Sequence, residues 1–285
     1  MLQPMTGQYL PMSTDHLAAL FSQYTPRAQA FFAGNICSAS IYENQKGLGY
    51  LHILKGGRAR MQGAMPKVYQ LTEPSIVLFP RDTPHQLVPD PKTGANLICA
   101  TVQLGSGQNN PIALGLPDVL VMSLEQISSL APTLDLLLDE AFAERPGRQV
   151  ALDRLFDYVL IQLLRYVVSA GMIHSGILAG LSDERLARAI TSMHERPERA
   201  WSLEDLANEA GMSRTRFAAY FREKTGLTPV DYLTRWRMTV AQNMLMKGSA
   251  IKSVSRAVGY ENPTSLSRTF TKIVGCSPAK WLKSK

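Results

Sequence analysis

The spacing of apolar residues changes character along the chain, and each change marks a different kind of element. Behind Ser13-Thr14-Asp15, a capping signal, Leu17, Leu20 and Phe21 fit one short helix, after an irregular start over residues 1–8. From residue 30 to 104 the apolar residues fall into short β-prone runs: 36–42, 48–54, 68–71, 75–79 and 96–104. Gly47, Gly56-Gly57, Gly63, the stretch 80–84 and the stretch 89–94 punctuate them. Many short strands at even spacing predict a small barrel or jelly roll. A loop over 105–110 ends this region.

After Pro132 the period becomes helical. The segment 133–144 aligns Leu134, Leu137, Leu138, Ala141 and Phe142, and after Arg145-Pro146-Gly147 the segment 148–169 aligns Leu152, Leu155, Phe156, Val159, Leu160, Leu163, Leu164 and Val167. That is more apolar surface than covering a small barrel requires, which predicts a self-complementary dimer interface. The stretch 170–180 holds three glycines and few charges and reads as a linker. The predicted organisation is a sensory domain over 1–115, a helical dimerisation segment over 116–170, a linker over 171–181 and a second domain over 182–285.

The second domain carries one arrangement twice. In Leu206-Ala207-Asn208-Glu209-Ala210-Gly211-Met212-Ser213-Arg214-Thr215-Arg216-Phe217 a small residue stands four positions before a glycine, and an apolar residue opens the next helix. Val254-Ser255-Arg256-Ala257-Val258-Gly259-Tyr260-Glu261-Asn262-Pro263-Thr264-Ser265-Leu266 repeats it. A helix-turn-helix needs this: Ala207 or Ser255 lets two helices approach, the glycine takes the turn, and Phe217 or Leu266 pins the second helix. Trp201 and Leu206 bracket the N-cap Ser202, with Asp205 closing a capping box. A first helix over 183–196 precedes that cap. Between the motifs, Thr228-Pro229-Val230-Asp231 reads as an N-cap, a proline at the first helical position and an acidic third residue. The helix they open runs over 229–246, roughly 27 Å at the usual rise. Neighbouring major-groove faces of B-DNA lie about 34 Å apart, so such a strut is compatible with two recognition helices on one side of a duplex.

From about residue 183 to 281 these residues resemble the AraC/XylS transcription regulators. The resemblance runs through 201–207, Gly211-Met212-Ser213-Arg214, Phe217, Phe221-Arg222, Gly226-Leu227-Thr228-Pro229, Tyr232-Leu233, Arg235-Trp236-Arg237-Met238, Ala241, Gly259-Tyr260, Phe270 and Gly275-Cys276-Ser277-Pro278. Ser255 stands where that family usually has alanine, and Leu266 where it often has phenylalanine. The resemblance implies sequence-specific binding of double-stranded DNA, a homodimer and activation of transcription, and it admits RNA polymerase as a partner.

Charge agrees. The net +7 of the 285 residues is unevenly placed: residues 182–285 hold 18 Lys and Arg against 10 Asp and Glu, and residues 1–181 hold 12 against 13. The basic excess sits in the helix-turn-helix half, as a phosphate-binding surface requires. Three cysteines are too few for a disulfide framework, no signal-peptide pattern opens the chain, and the most apolar run, 158–168, is too short for a bilayer. A cytoplasmic protein is expected.

Within the first recognition helix, 213–224, Phe217 and Phe221 must face the core. Thr215, Ala218, Ala219 and Arg222 then turn toward the groove, with Arg214 and Arg216 flanking and Ser213 and Lys224 at the phosphates. In the second, Leu266 and Phe270 face inward, which turns Thr264, Ser265 and Arg268 outward. Arg268 is the candidate for a bidentate guanine contact. Arg235, Arg237, Lys247, Lys252 and Lys272 are candidates for phosphate contacts, which position without specifying.

A second resemblance covers the first half. Residues 50–57 (Tyr-Leu-His-Ile-Leu-Lys-Gly-Gly) and 74–85 (Pro-Ser-Ile-Val-Leu-Phe-Pro-Arg-Asp-Thr-Pro-His) are similar to a cupin, and to the cupin sensory domain that precedes many AraC-type DNA-binding domains. The usual Gly-Asp before the second strand is Pro74-Ser75 here. The fold expected is thus α+β with two domains: a cupin-like β-barrel with a helical dimerisation pair, then an all-α domain with two helix-turn-helix motifs. Cupin enzymes hold a metal with several His and Glu side chains. His52 and His85 fall at two such positions, but the second histidine position of the first motif is Leu54 and the glutamate position falls on Arg58 or Ala59. Two imidazoles do not make a catalytic site, so no metal, no cofactor and no catalytic residue are expected; the rival reading is a cupin-type metal-dependent enzyme fused to a helical domain. Two routes for a signal stay open. A small organic ligand could be read by His52 and His85, as the resemblance implies. Alternatively Cys37 and Cys99 form a thiol pair whose oxidation reshapes the barrel, with one thiol activated by Arg81 or a protonated His85.

Overall fold

The computed structural model describes residues 15–43, 47–63, 67–105, 110–173 and 175–284. The expected irregular start over 1–8, the cap residues Ser13 and Thr14, and most of the loop over 105–110 lie outside these. The chain divides into two compact units. One comprises residues 24–182 with 222–226; the other comprises 183–221 and 227–285 together with the described residues before Tyr24. A short helix, α1 (Ala18–Gln23), therefore belongs with the C-terminal helices, although sequence places it in the sensory domain. Asp15 caps it by accepting the Leu17 and Ala18 N–H groups at 3.0 Å.

The first unit is built on nine strands: β1 (Arg27–Ile36), β2 (Ser40–Tyr42), β3 (Gly49–Gly57), β4 (Ala59–Gly63), β5 (Val68–Leu71), β6 (Ser75–Phe79), β7 (His85–Pro89), β8 (Ala95–Gln103) and β9 (Leu120–Ser123). They form two antiparallel sheets in the orders β1-β8-β3-β6-β9 and β2-β7-β4-β5. The expected barrel is not closed: among the described residues the two sheets share no ladder. Alternate side chains of β3, β6 and β8 (Tyr50, Leu54, Val77, Phe79, Leu97, Cys99) meet Ala59, Met61, Leu71 and Leu87 of the smaller sheet in one core. The intervening Leu51, Ile53, Ile76 and Leu78 are buried too, so these strands are covered on both faces and read as continuous apolar runs.

Helices close the unit: α2 (Pro111–Gly115), α3 (Ala131–Phe142), α4 (Arg148–Ser169) and α5 (Ile177–Ser182). α4 has the bounds that its periodicity predicts, and its apolar face packs on β1. One turn apart on that face, Asp157 accepts the Ala28 N–H at 2.7 Å and Asp153 the Ala30 N–H at 2.9 Å, while Gln149 donates to the Ala30 carbonyl at 2.8 Å. These side chains satisfy backbone groups of an edge strand that would otherwise stay open. Two boundaries move. β9 extends the larger sheet into the segment assigned to dimerisation, and residues 177–181 of the expected linker belong to the helix α5, packed on α2 and α4 with Ile177, Leu178 and Leu181 buried.

The second unit contains α6 (Glu184–Glu195), α7 (Leu203–Glu209), α8 (Arg214–Thr225), α9 (Pro229–Met246), α10 (Ile251–Ala257), α11 (Pro263–Val274) and α12 (Pro278–Lys283), apart from the last turn of α8, which groups with the first unit. The caps are those the sequence predicts. Ser202 and Asp205 form the reciprocal box, and Thr228 and Asn262 accept the N–H groups of Asp231 and Ser265, each with a proline at the first helical position. α1 joins this unit by packing on α6 and α9. His16 bonds Thr191 at 2.8 Å, and the Asn243 amide donates to the Gln23 carbonyl at 2.9 Å.

The two turns are built alike. Gly211 and Gly259 take left-handed φ angles of 63° and 76°, and the next residue's N–H returns to the small residue's carbonyl: Met212 to Ala207 at 2.9 Å, Tyr260 to Ser255 at 2.8 Å. At Gly259 space is short as well, since a Cβ would lie 2.6 Å from the Glu198 carbonyl and 2.8 Å from the Arg237 guanidinium. Gly275 has a similar φ of 88° with nothing within 4 Å of a Cβ. Gly275→Ala is therefore expected to cost about 1–2 kcal/mol for the left-handed backbone alone. Gly259→Ala is expected to cost clearly more, because the clash adds to that strain. Urea unfolding of the two variants checks this, and equal midpoints would contradict the tight fit at Gly259.

Candidate functional site

The second unit presents its polar helix faces as the periodicity predicts. On α8, Phe217 and Phe221 are fully buried with ring centroids 5.5 Å apart. That leaves Arg214, Thr215, Arg216, Ala219 and Arg222 exposed and Ala218 half-buried, with Ser213 exposed just before the helix and Lys224 half-buried near its end. On α11, Leu266 and Phe270 are buried, while Thr264, Arg268 and Lys272 are exposed and Ser265 is half-buried. Arg235, Lys247 and Lys252 are exposed on or beside α9 and α10. The exposed side chains among these are not used by the core.

Arg237 is different, and its expected phosphate role is corrected. Its Nε donates to the Pro197 carbonyl at 2.6 Å and its Nη2 to the Arg199 carbonyl at 2.8 Å, with the guanidinium 5.8 Å from the Tyr260 ring centroid. Burial pulls its pKa down from the usual arginine value. Arg237 thus ties α9 to the 197–199 turn and to the second motif. Three further arginines of the basic count are spent the same way. Arg188 donates to the Glu209 and Ala210 carbonyls at 3.1 and 3.3 Å, Arg199 lies 4.0 Å from the Trp201 ring centroid, and Arg196 lies 5.0 Å from it while pairing with Glu209 at 3.7 Å. Charge counting cannot separate such arginines from phosphate binders. Neighbours in space do, and for Arg237 they lie some forty residues away in sequence.

In the first unit, His52 and His85 are not side chains of an open pocket. They are buried in the core, Nε2 to Nε2 at 2.8 Å, and they belong to one hydrogen-bonded chain. His85 Nδ1 lies 2.8 Å from the Thr83 carbonyl, His52 Nδ1 lies 3.1 Å from Cys99 Sγ, and Tyr42 Oη lies 3.9 Å from the same sulfur. The carbonyl accepts only, so His85 carries its proton on Nδ1 and accepts at Nε2. His52 then donates from Nε2 and accepts at Nδ1 from the Cys99 thiol, whose sulfur faces the Tyr42 hydroxyl. One backbone carbonyl fixes every proton in the chain, and all four groups are neutral. Burial enforces the same state: it holds His52 well below the usual histidine range and His85 at about 4, and pushes Cys99 up to about 12. Phe79 and Tyr42 stack on the His85 ring at 3.8 and 4.8 Å between centroids. The chain joins β2 and β7 of one sheet to β3 and β8 of the other. It is a stitch across the core.

The proposed thiol pair is overturned by register. Phe32 stands opposite Cys99 and Ile36 opposite Ala95, so Cys37 lies five residues further along β1's line, about 17 Å at the usual strand rise. A disulfide needs Cα atoms within about 7 Å. Cys37 is exposed and bonds Asn35 at 3.2 Å, while Cys99 is buried with a thiol harder to ionise than usual. Nor does Arg81 activate either sulfur. Its guanidinium donates to the Leu116 carbonyl at 2.8 Å, to the Ala113 carbonyl and to the Asp118 carboxylate.

Two family models match the chain: "Cupin" over residues 15–169 and "Helix-turn-helix domain" over residues 206–284. A putative AraC-like transcription regulator of Streptomyces lividans is 36% identical over 149 residues, which span 51% of this chain and 49% of that one. The chain thus aligns with about half the length of that relative. An uncharacterized HTH-type transcriptional regulator of Haemophilus influenzae is 26% identical across 94% of this chain and 96% of its own. The RCS-specific HTH-type transcriptional activator RclR of Escherichia coli is 26% identical across 81% and 82%. Among the described residues no helix is long and apolar enough to cross a membrane.

The buried histidines give a pH dependence with a definite sign. Unfolded, each takes a proton near pH 6.5. Folded, His85 takes one only near 4, His52 well below the usual range, and His194 of the other unit, desolvated beneath Trp236, near 3. Between these values the unfolded chain binds more protons, so stability is full above pH 6.5 and is lost as pH falls. Each histidine contributes about 1.4 kcal/mol per pH unit. Urea midpoints are expected to be flat from pH 8 to 7 and to fall between 6.5 and 5, above the carboxylate range. A midpoint that rises on acidification would contradict neutral buried imidazoles.

Proposed function

The chain belongs to the AraC-type helix-turn-helix transcription regulators that carry an N-terminal cupin domain, and on that premise we propose which of its faces reads DNA and what the rest of the chain supplies. The observation that carries the reading is the pair of like-built turns on one buried strut, each followed by a helix whose polar face is exposed. α8 offers Arg214, Thr215, Arg216, Ala218, Ala219 and Arg222 to one major groove, and α11 offers Thr264, Ser265 and Arg268 to the next. The alanines fit thymine methyls, and Arg268 reads a guanine through two parallel hydrogen bonds. Ser213, Lys224, Arg235, Lys247, Lys252 and Lys272 hold phosphates and set the register.

The protein acts as a homodimer that activates transcription in the cytoplasm and engages RNA polymerase. The dimer reading is supported by the exposed apolar side chains Leu136 and Phe142 of α3 and Val150 and Tyr158 of α4, which the core leaves free. The activator reading is supported by a relative whose name is that of an activator. The sandwich receives a small molecule, and no catalytic residue is assigned.

Base readers, phosphate binders and structural arginines separate in one salt series on an operator selected by the full chain. Lys252→Ala is expected to flatten the slope of log K against log salt by about 0.9, the value of one phosphate contact. Arg268→Ala is expected to cost about 1–3 kcal/mol and to relax preference at one or two base pairs. Arg237→Ala is expected to lower the unfolding midpoint. If Arg268→Ala leaves the selected sequence unchanged, α11 is not read through that residue.

A further inference from the structure

The first unit has a cleft of about 280 Å³ beside the ends of β3 and β6, lined by Gly47, Pro80, Arg81, Asp82, Leu104 and Ala113 among others. Most of the polar groups in its wall are already used. The Arg81 guanidinium is taken up by the Ala113 and Leu116 carbonyls and by Asp118. The Asn110 carbonyl oxygen caps α2, accepting the Ile112 N–H at 2.8 Å, and its amide donates to the Leu104 carbonyl at 2.5 Å. Asp82 is the exception: its Oδ1 is buried and has no hydrogen-bond donor among the described residues. With Arg81 neutralised by Asp118, the wall keeps one uncompensated negative charge. The field of that charge reaches the neighbouring core, where burial first and then Asp82 and Glu43 raise the pKa of the Tyr50 hydroxyl. A buried carboxylate oxygen without a donor is unfavourable until a hydrogen-bonding cation meets it.

Resting on the regulator reading above, we propose that this cleft is the effector site and that it takes a small organic cation, an amine or an amidine, whose charge and N–H groups pair with the Asp82 carboxylate in its wall. At about 30 Å³ per water, the volume holds about nine non-hydrogen atoms, which sets the size class. The apolar body of the ligand lies against Pro80, Leu104 and Ala113. An anionic ligand is excluded, because the positive group in the wall is already paired and the charge left over is negative. The site is separate from the buried histidine chain, which has no open face.

Benzamidine and benzoate are matched probes, with the same ring, the same size and opposite charge. Titration calorimetry on the full chain without DNA is expected to show benzamidine binding at one site per chain and no heat from benzoate. Asp82→Asn, which keeps the shape and removes the charge, is expected to raise the Kd for benzamidine at least tenfold. Ala113→Leu, which narrows the cleft, is expected to weaken benzamidine even if Asp82→Asn fails to fold. The proposal is overturned if benzamidine gives no binding at 10-millimolar levels, if benzoate binds as well, or if neither variant changes the Kd. Operator affinity of the same preparation is measured in parallel. Retained DNA binding with silent calorimetry defeats the cleft alone, and lost DNA binding with benzamidine still bound defeats the regulator reading alone.

Discussion

The helical unit depends on the burial of one helix, α9, along most of its length. Its N-terminal half belongs to the first motif: Tyr232 meets the Phe221 ring of α8 at 5.7 Å, and Trp236 stacks on His194 of α6 at 3.7 Å. Its C-terminal half belongs to the second, where Met238, Ala241 and Leu245 share a core with Val254, Val258, Leu266, Phe270 and Trp281. Two recognition helices referenced to one rod keep a fixed spacing and phase, as reading two neighbouring major-groove faces requires. Arg237 strengthens the same constraint by tying the middle of the rod to the 197–199 turn and to the second motif at once.

In the sandwich the corresponding constraint is proton order. A chain of four neutral groups, fixed in direction by one carbonyl, crosses from one sheet to the other and leaves no member free to ionise near neutral pH. The folded chain of groups therefore keeps one protonation state near neutral pH. Adaptable chemistry lies elsewhere in the unit, at the Asp82 cleft, where a charge lacks its donor.

Much of this was legible from residue order alone. Caps and glycines give both ends of α9 and the start of α11, because N-cap side chains and left-handed turns are decided within four or five residues. The α4 bounds followed from an uninterrupted 3.6 period. The failures share a different cause, in that the deciding neighbour lies far off in sequence. β7 was hidden between Pro84 and Pro89, which read as punctuation until the edges of β2 and β4 are placed beside it. The glycines of 171–180 suggested a linker, yet Gly176 has a left-handed φ of 90° and a Cβ there would lie 3.1 Å from the Gly115 Cα, and the helix after it is buried. The thiol pair failed on strand register, and Arg237 failed because its partners are backbone carbonyls forty residues away. Asp82 gave no signal at all inside Pro-Arg-Asp-Thr-Pro, since its importance is the absence of a donor in three dimensions.

The central claim is that both recognition helices enter the duplex together, held by α9. Hydroxyl-radical footprinting of the full chain on a selected operator tests it most directly. The account predicts two protected segments per chain on one face of the duplex, about one helical turn apart, with both lost when the buried Trp236 of α9 is replaced by alanine. A single protected segment, or two whose spacing varies between molecules, would contradict it.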